Sequence, residues 1–410
     1  MIYELHEMQH AAFVPLRMLA ETSAVFYVNP FSLFSDSPHK RTVRAGTELL
    51  LRLTQRYEKP PFALSTTVID GENVAVSETV VMAKPFCRLL RFERQCARRD
   101  PAVLVIAPMS GHHATLLRET VRTLLPEHDV YISDWIDARL VPLGCGAFHL
   151  DDYVGYVQEF IRLLGPDLHV LAVCQPTVPV LAAVALMSAA DEPATPRSMI
   201  LMGGPIDTRL NPTGVNTFAK SQPLAWFESK LIQRVPFKYP GCSRRVYPGF
   251  LQHASFVAMN PDRHIESHVE FYRHLVEGDE DGAETHRQFY DEYNAVMDLP
   301  AEYYLETVKA VFQEHALARG ELTINGIRVD PCAIRHTALF TIEGELDDIC
   351  GRGQTEAAHD LCLNLLQRNR AHLVADGAGH YGIFSGRRFR ENIYPRIRAF
   401  ISAHTAQTSR

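Results

Sequence analysis

Residues 169–177, HVLAVCQPT, combine a short apolar run with a cysteine and a proline. The first five residues have the length and composition of a strand that is buried on both faces of a sheet. Cys174 comes directly after this strand. Pro176 suits the first turn of a helix, because the N–H that proline lacks would have no partner there. The stretch therefore predicts a strand that runs directly into a helix, with Cys174 at the junction.

Strands and helices alternate on both sides of this stretch. Apolar runs at 103–106 and 129–133 predict two earlier strands, and 198–202 predicts a fourth. The pattern stops there and resumes with strands at 338–342 and 371–374. Strands that alternate with helices indicate right-handed crossovers and a parallel sheet covered by helices. We therefore predict an α/β fold.

The interruption of this pattern suggests the domain organisation. Residues 206–334 contain aromatic and helical segments but few strand-like runs, which predicts a mostly helical cap inserted into an α/β core of residues 96–205 and 335–410. A second, independent domain at 206–334 is the main alternative. Residues 1–95 are predicted to be an N-terminal segment that packs on the core, with a helical start and then an irregular polar stretch. After the cap, helices are expected around 354–367 and near 390–403.

Reactive side chains follow three of the predicted strands. Cys174 follows the third strand, Asp347 follows the fifth, and His380 follows the sixth. In open α/β sheets the reactive groups lie at the carboxyl ends of strands. The order nucleophile, acid, histidine is that of the α/β-hydrolase fold, here with a mostly parallel sheet, helices on both faces and an inserted helical cap. Asp348 is an alternative to Asp347, because spacing alone does not separate two neighbouring carboxylates.

Each of these residues has a simpler explanation when it is considered alone. A cysteine at a strand end is usually a small buried apolar residue, a loop histidine is usually hydrogen-bonded, and an aspartate often caps a helix. Their joint placement at three strand ends favours a catalytic triad. In that triad His380 would act as the base, Asp347 would orient the imidazole, and a helix N-terminus would help to stabilise a Cys174 thiolate. The oxyanion hole would consist of the backbone N–H groups of Gln175 and of Met109, in the loop after the first strand.

Composition excludes several other classes of protein. The net charge of -7 argues against a nucleic-acid-binding protein, which needs many Lys and Arg on one face. No Cys-x-x-Cys pattern occurs, and we expect neither a metal nor another cofactor. The N-terminus does not resemble a secretory signal, and no apolar run is long enough to span a membrane. We therefore expect a cytoplasmic enzyme whose eight cysteines are reduced.

Three segments of the chain resemble the intracellular polyhydroxyalkanoate depolymerases. Residues 171–180, LAVCQPTVPV, are similar to the nucleophile region of that family, residues 343–349, EGELDDI, to its acid loop, and residues 379–384, GHYGIF, to its histidine loop. The resemblance extends over nearly the whole chain. It implies a cytoplasmic enzyme, associated with polyhydroxyalkanoate granules, that hydrolyses stored poly(3-hydroxybutyrate) through a hydroxyacyl-cysteine intermediate. Its partners would be the polymer or granule surface and 3-hydroxybutyrate oligomers, with coenzyme A as a further candidate acyl acceptor.

Two other functions are compatible with the sequence. Polyhydroxyalkanoate synthases are similar in using Cys, Asp and His, but their elbow is usually Gly-x-Cys-x-Gly, whereas this chain has Ala172 and Pro176 at the flanking positions. The synthases also tend to place a histidine directly after the acid, where this chain has Asp348. Both departures favour the depolymerase. The remaining alternative is a non-catalytic granule-binding protein, which would have no need to retain an acid and a histidine.

Overall fold

The computed structural model describes residues 2–28, 38–259 and 261–405. The strands are β1 (Thr66–Ile69), β2 (Glu72–Ala83), β3 (Cys87–Arg94), β4 (Ala102–Ile106), β5 (Asp129–Trp135), β6 (Leu168–Val173), β7 (Ser198–Met202), β8 (Gln233–Arg234), β9 (Arg245–Tyr247), β10 (Leu299–Pro300), β11 (Thr323–Ile324), β12 (Ile327–Arg328), β13 (Ala338–Gly344) and β14 (Arg370–Ala375). The α-helices are α1 (Ile2–Ala12), α2 (Val14–Val28), α3 (Pro38–Thr54), α4 (Arg118–Leu124), α5 (Leu150–Leu164), α6 (Thr177–Ala189), α7 (Gly214–Ser221), α8 (Leu224–Leu231), α9 (Gly249–Met259), α10 (Pro261–Glu277), α11 (Glu280–Tyr293), α12 (Ala301–Thr307), α13 (Ala358–Leu361), α14 (Gly386–Arg388) and α15 (Tyr394–His404).

Nine strands form the main sheet, in the order β1-β2-β3-β5-β4-β6-β7-β13-β14. The strands from β5 to β14 are parallel, and all six of them were predicted from their apolar runs. Every residue of β6 and of β7 is buried, as expected for strands that are covered on both faces. The predicted α/β-hydrolase fold, with a mostly parallel sheet covered by helices, is confirmed.

Residues 66–94, in contrast, are not the irregular polar stretch that the sequence suggested. They form the antiparallel strands β1, β2 and β3, and β3 joins the main sheet by pairing with β5. Asp70 and Gly71, between β1 and β2, both have positive φ values, 51° and 88°. This is the backbone of a type I′ hairpin turn, for which Asp-Gly is a favoured sequence.

The chain between β7 and β13 makes a long excursion, although these two strands are neighbours in the main sheet. It contains α7 to α12, a small sheet of β8, β9 and β10, and the hairpin of β11 and β12. A π-helical segment, Val308–Gln313, follows α12 directly. The limits of the predicted cap, 206–334, and of the other predicted units remain predictions.

The helix predicted around 354–367 is wrong for most of its length. Only α13 (Ala358–Leu361) is α-helical there, after a series of turns. Gly353 has a φ of 91°, which an α-helix does not tolerate. The Glu343 carboxylate also accepts hydrogen bonds from the backbone N–H groups of Gly353, Thr355 and Glu356, and so holds this segment in its turns.

The helix predicted near 390–403 is present as α15, with a π-helical segment, Phe389–Ile393, before it. Across the ranges that the structure covers, none of the helices has both the length and the apolar character needed to cross a bilayer.

Candidate active site

Cys174 lies in the tight turn between β6 and α6. Its φ is 67°, in the left-handed region that residues other than glycine rarely adopt. Its N–H donates to the carbonyl oxygen of Met202 at 2.7 Å, and its own carbonyl oxygen accepts from the N–H of Thr177 at 3.1 Å. A strained residue between a strand and a helix is the backbone geometry of a nucleophile elbow, which presents the side chain at the edge of the sheet.

Two glycines directly after the neighbouring strand β7 provide the space for this elbow. A Cβ atom on Gly204 would lie 1.8 Å from Oγ1 of Thr177, in the first turn of α6. A Cβ atom on Gly203 would lie 2.6 Å from Cδ1 of Ile383 and 3.3 Å from Cε1 of His380. The chain therefore has its glycines after β7, at the closest approach of the helix and the histidine loop, instead of on either side of Cys174.

Asp347 and His380 are in direct contact. The Nδ1 atom of His380 is 2.7 Å from Oδ2 of Asp347, and both side chains are buried. The other carboxylate oxygen of Asp347, Oδ1, accepts from the backbone N–H groups of Ile349 and Cys350 at 2.9 and 2.8 Å. Asp348, the alternative acid from the sequence, has an exposed side chain. The structure thus brings Asp347 to the histidine.

Cys174 also influences the protonation of His380. Burial, Asp347 and Cys174 all act on the ionisation of the His380 imidazole. Burial lowers the pKa of His380, but its interactions with Cys174 and Asp347 raise it by more, so that the pKa lies well above its ordinary value. The structure thus places His380 against Asp347, and the pKa of its imidazole responds to both Asp347 and Cys174.

The two residues predicted for the oxyanion hole lie in the turn after β6 and in the loop after β4. Gln175 follows Cys174 in the turn, and Met109 is buried in the loop after β4. The Met109 loop is held by a bond from Met297 N–H to Gly111 O at 2.7 Å and by a bond from Trp135 Nε1 to Ala107 O at 2.8 Å. The use of these N–H groups as oxyanion donors remains a prediction.

Two residues at the site were not found from the sequence. Tyr303, on α12, has its hydroxyl hydrogen-bonded to the side-chain amide of Gln175. Tyr381 follows His380 and packs against Tyr293, with 6.4 Å between the ring centroids. Tyr303 and Gln175 are 128 residues apart in the chain, and no local pattern links them.

His112 and His113 follow the oxyanion loop but do not begin an α-helix. His112 makes an isolated β-bridge to Val296, and its Nε2 is 3.1 Å from the carbonyl oxygen of Tyr293. Burial lowers the pKa of His112 to about 4 and that of His113 to about 3. Both imidazoles are therefore neutral at pH 7, and His112 joins the oxyanion loop to the inserted region.

Glu343, Glu356 and His372 lie close enough to be considered as metal ligands. However, the oxygens of Glu343 already accept three backbone N–H groups, from Gly353, Thr355 and Glu356. A carboxylate that is used in this way has little capacity left for a cation. The cluster is explained by its support of the loop before α13.

Comparison with known proteins gives a family for the second half of the chain. Residues 203–405 match the family model described as "PHB de-polymerase C-terminus". Among curated proteins, none matches the sequence.

Several solved structures resemble the chain distantly. A monoacylglycerol lipase from Paleococcus ferrophilus is 12% identical, with a TM-score of 0.43 over 75% of this chain and 96% of the lipase. A thermophilic esterase from Thermogutta terrifontis is 13% identical, with a TM-score of 0.41 over 83% of this chain and 97% of the esterase. A carboxylesterase from Nitrososphaera gargenis is also 13% identical, with a TM-score of 0.41 over 80% of this chain and 99% of that one.

Proposed function

Because this chain belongs, through residues 203–405, to the polyhydroxybutyrate depolymerase family, we propose that it hydrolyses the ester bonds of stored poly(3-hydroxybutyrate). Family membership supports a hydrolase of the esterase type. The observation that carries the finer proposal is the geometry of the site: Cys174 lies in a strained strand-to-helix turn, and His380, whose pKa responds to Cys174, is 2.7 Å from Asp347.

The first half of the proposed reaction is acylation of the cysteine. The sulfur of Cys174 attacks the ester carbonyl carbon, and the thiol proton passes to Nε2 of His380. Asp347 holds the imidazole through Nδ1 and stabilises its positive charge. The N–H groups of Gln175 and Met109 bind the oxyanion of the tetrahedral intermediate. When this intermediate collapses, the C–O bond breaks, the alkoxide takes the proton from His380, and a 3-hydroxyacyl thioester remains on Cys174.

The second half releases the acyl group. His380 removes a proton from water, the hydroxide attacks the thioester carbonyl, and the thiolate of Cys174 leaves. The products are 3-hydroxybutyrate or its short oligomers. Coenzyme A would compete with water as the acceptor if its thiol entered the same site. The proposal places the enzyme in the cytoplasm at the surface of polyhydroxyalkanoate granules, where this substrate is stored.

The test is a product analysis on amorphous poly(3-hydroxybutyrate), with and without coenzyme A. The wild type should release 3-hydroxybutyrate or oligomers, and brief exposure to an oligomer should leave a hydroxyacyl adduct on Cys174 in mass spectra. Cys174→Ala should lower the rate by at least about 10³-fold. Cys242→Ala, which changes a half-buried thiol away from the triad, should retain the wild-type rate. A Cys174→Ala enzyme that degraded polymer normally would end the proposal.

Two alternatives predict other results in the same assay. A synthase-like acyltransferase would lengthen polymer when it is given 3-hydroxybutyryl coenzyme A alone. A non-catalytic granule-binding protein would sediment with granules and release no product at all. The glycines that flank the cysteine in synthases are replaced here by buried Ala172 and by Pro176 with a φ of -58°, which favours the hydrolase.

A further inference from the structure

Tyr303 is buried and packed in the inserted region. Its side chain is 1% exposed, and its ring stacks on Tyr153 with 5.3 Å between centroids and an interplanar angle of 10°. Phe148 packs on the same ring at 5.9 Å, and the carbonyl oxygen of Phe148 accepts from the N–H of Tyr303 at 3.1 Å. These contacts hold the ring of Tyr303 in place and so set the position of its hydroxyl.

That position is beside the nucleophile. The hydroxyl hydrogen-bonds to the side-chain amide of Gln175, the residue that follows Cys174. Burial and the nearby charge of Cys174 both raise the pKa of Tyr303, so that its hydroxyl stays protonated and neutral. A buried neutral hydroxyl on a tightly packed ring is a suitable anchor for a polar side chain in an otherwise strained turn.

Gln175 itself has little other support. It lies between Cys174, with its φ of 67°, and Pro176, which has no N–H to contribute to the turn. The Oε1 atom of Gln175 is buried and has no hydrogen-bond partner among the described residues. The bond to Tyr303 is therefore the contact that fixes the orientation of this side chain.

We propose that Tyr303 is a positioning residue for acyl transfer: by holding the amide of Gln175, its hydroxyl aligns the backbone N–H of Gln175 with the developing oxyanion. This inference rests on the proposed function, because it assumes attack by Cys174. It gives the inserted region a part in the chemistry, since α12 lies between β7 and β13 and reaches back to the elbow. Tyr303 acts through Gln175 and touches no reacting atom.

The first test is Tyr303→Phe, which keeps the stacked ring and removes only the hydroxyl. Loss of a complete oxyanion donor typically costs 10²–10³-fold in kcat, so we expect misalignment of one donor to slow acylation by about tenfold. Burst kinetics with p-nitrophenyl butyrate measure this rate constant separately from KM, which should change by less than about twofold because ground-state binding is untouched. Tyr394→Phe removes another buried hydroxyl, bonded to Glu127 and far from the elbow, and should acylate at the wild-type rate.

The second test is a double-mutant cycle with Gln175→Leu, which keeps the backbone N–H and removes the amide. If Tyr303 acts through Gln175, the double variant should acylate no more slowly than Gln175→Leu alone. A normal acylation rate in Tyr303→Phe, a change in KM alone, or multiplication of the two effects in the double variant would each overturn the inference. Activity that survived in Cys174→Ala would instead overturn the proposed function, so the two failures are distinguishable.

Discussion

The two carboxylate oxygens of Asp347 have different partners. Oδ2 contacts His380, and Oδ1 accepts from the N–H groups of Ile349 and Cys350. In Asp347→Asn the amide oxygen would keep the two loop contacts, because they require an acceptor. The amide nitrogen would then face Nδ1 of His380 and force the imidazole proton onto Nε2, where a base for Cys174 must be free.

We therefore expect Asp347→Asn to lower kcat by about 10³–10⁴-fold with little change in KM. Steady-state rates on 3-hydroxybutyrate oligomers measure both constants. Asp348→Asn changes the exposed neighbouring carboxylate and should remain within about twofold of the wild type. Equal losses in the two variants would show that the acid had been assigned to the wrong position.

For single residues, the sequence indicated which side chains are candidates for the site but not which of them are in contact. Cys174, Asp347 and His380 could be predicted because each follows an apolar strand, and strand ends meet at one edge of a parallel sheet. The choice between Asp347 and Asp348 could not be made from spacing, because it depends on which side chain the loop turns inward. Tyr303 had no sequence signal, because its partner Gln175 is distant in the chain.

Among the helices, α1 has an unusual orientation. Its polar side chains face the protein: the Tyr3 hydroxyl donates to Oδ2 of Asp298 at 2.7 Å, and Glu7 contacts the guanidinium of Arg56 at 2.5 Å. Its apolar side chains Leu5 and Met8 are 64% and 69% exposed. A hydrophobicity pattern would have predicted that the apolar face of this helix is the buried one. Its helical character could therefore be predicted from the sequence, but its buried face could not.

Tyr3→Phe should loosen α1, because Asp298 would lose a hydrogen bond that it cannot replace with water. The Asp298 carboxyl is fully buried, and burial raises its pKa, so an unsatisfied oxygen there is costly. We expect the free energy of unfolding to fall by about 1–3 kcal/mol in urea denaturation, with faster proteolysis within α1. Leu5→Ala, on the exposed face, should change it by less than about 0.5 kcal/mol. Equal effects of the two substitutions would mean that polar contacts do not hold the helix.

The whole molecule depends on strands that the sequence pattern did not indicate. Strand β2 has mostly solvent-facing residues, such as Glu72 and Glu78, so its run lacks the continuous apolar character of the parallel strands. In β3, however, Leu89 and Phe92 are 0% and 2% exposed and belong to the main core. The Asp-Gly turn between β1 and β2 was the signal that could have identified this hairpin.

A chain that begins at residue 96 should therefore fail to fold. Without β3, the edge of β5 would lose its partner strand, and core residues packed against Leu89 and Phe92 would be exposed to water. We expect such a chain to be insoluble on expression, or soluble without a cooperative thermal transition. Recovery of a soluble protein with a sharp transition and esterase activity would show that residues 1–95 are dispensable.

The placement of the inserted region between two adjacent strands also has a consequence during synthesis on the ribosome. Cys174 is made 206 residues before His380 (380 − 174), and at bacterial and eukaryotic rates of translation that interval lasts roughly 10–40 s. Throughout it, β7 has no β13 to pair with, and the thiol has neither its imidazole nor its carboxylate. The nascent chain would thus carry Cys174 without the partners predicted for it until its last strands emerge, and a translation product truncated before His380 would keep a thiol with no imidazole to accept its proton.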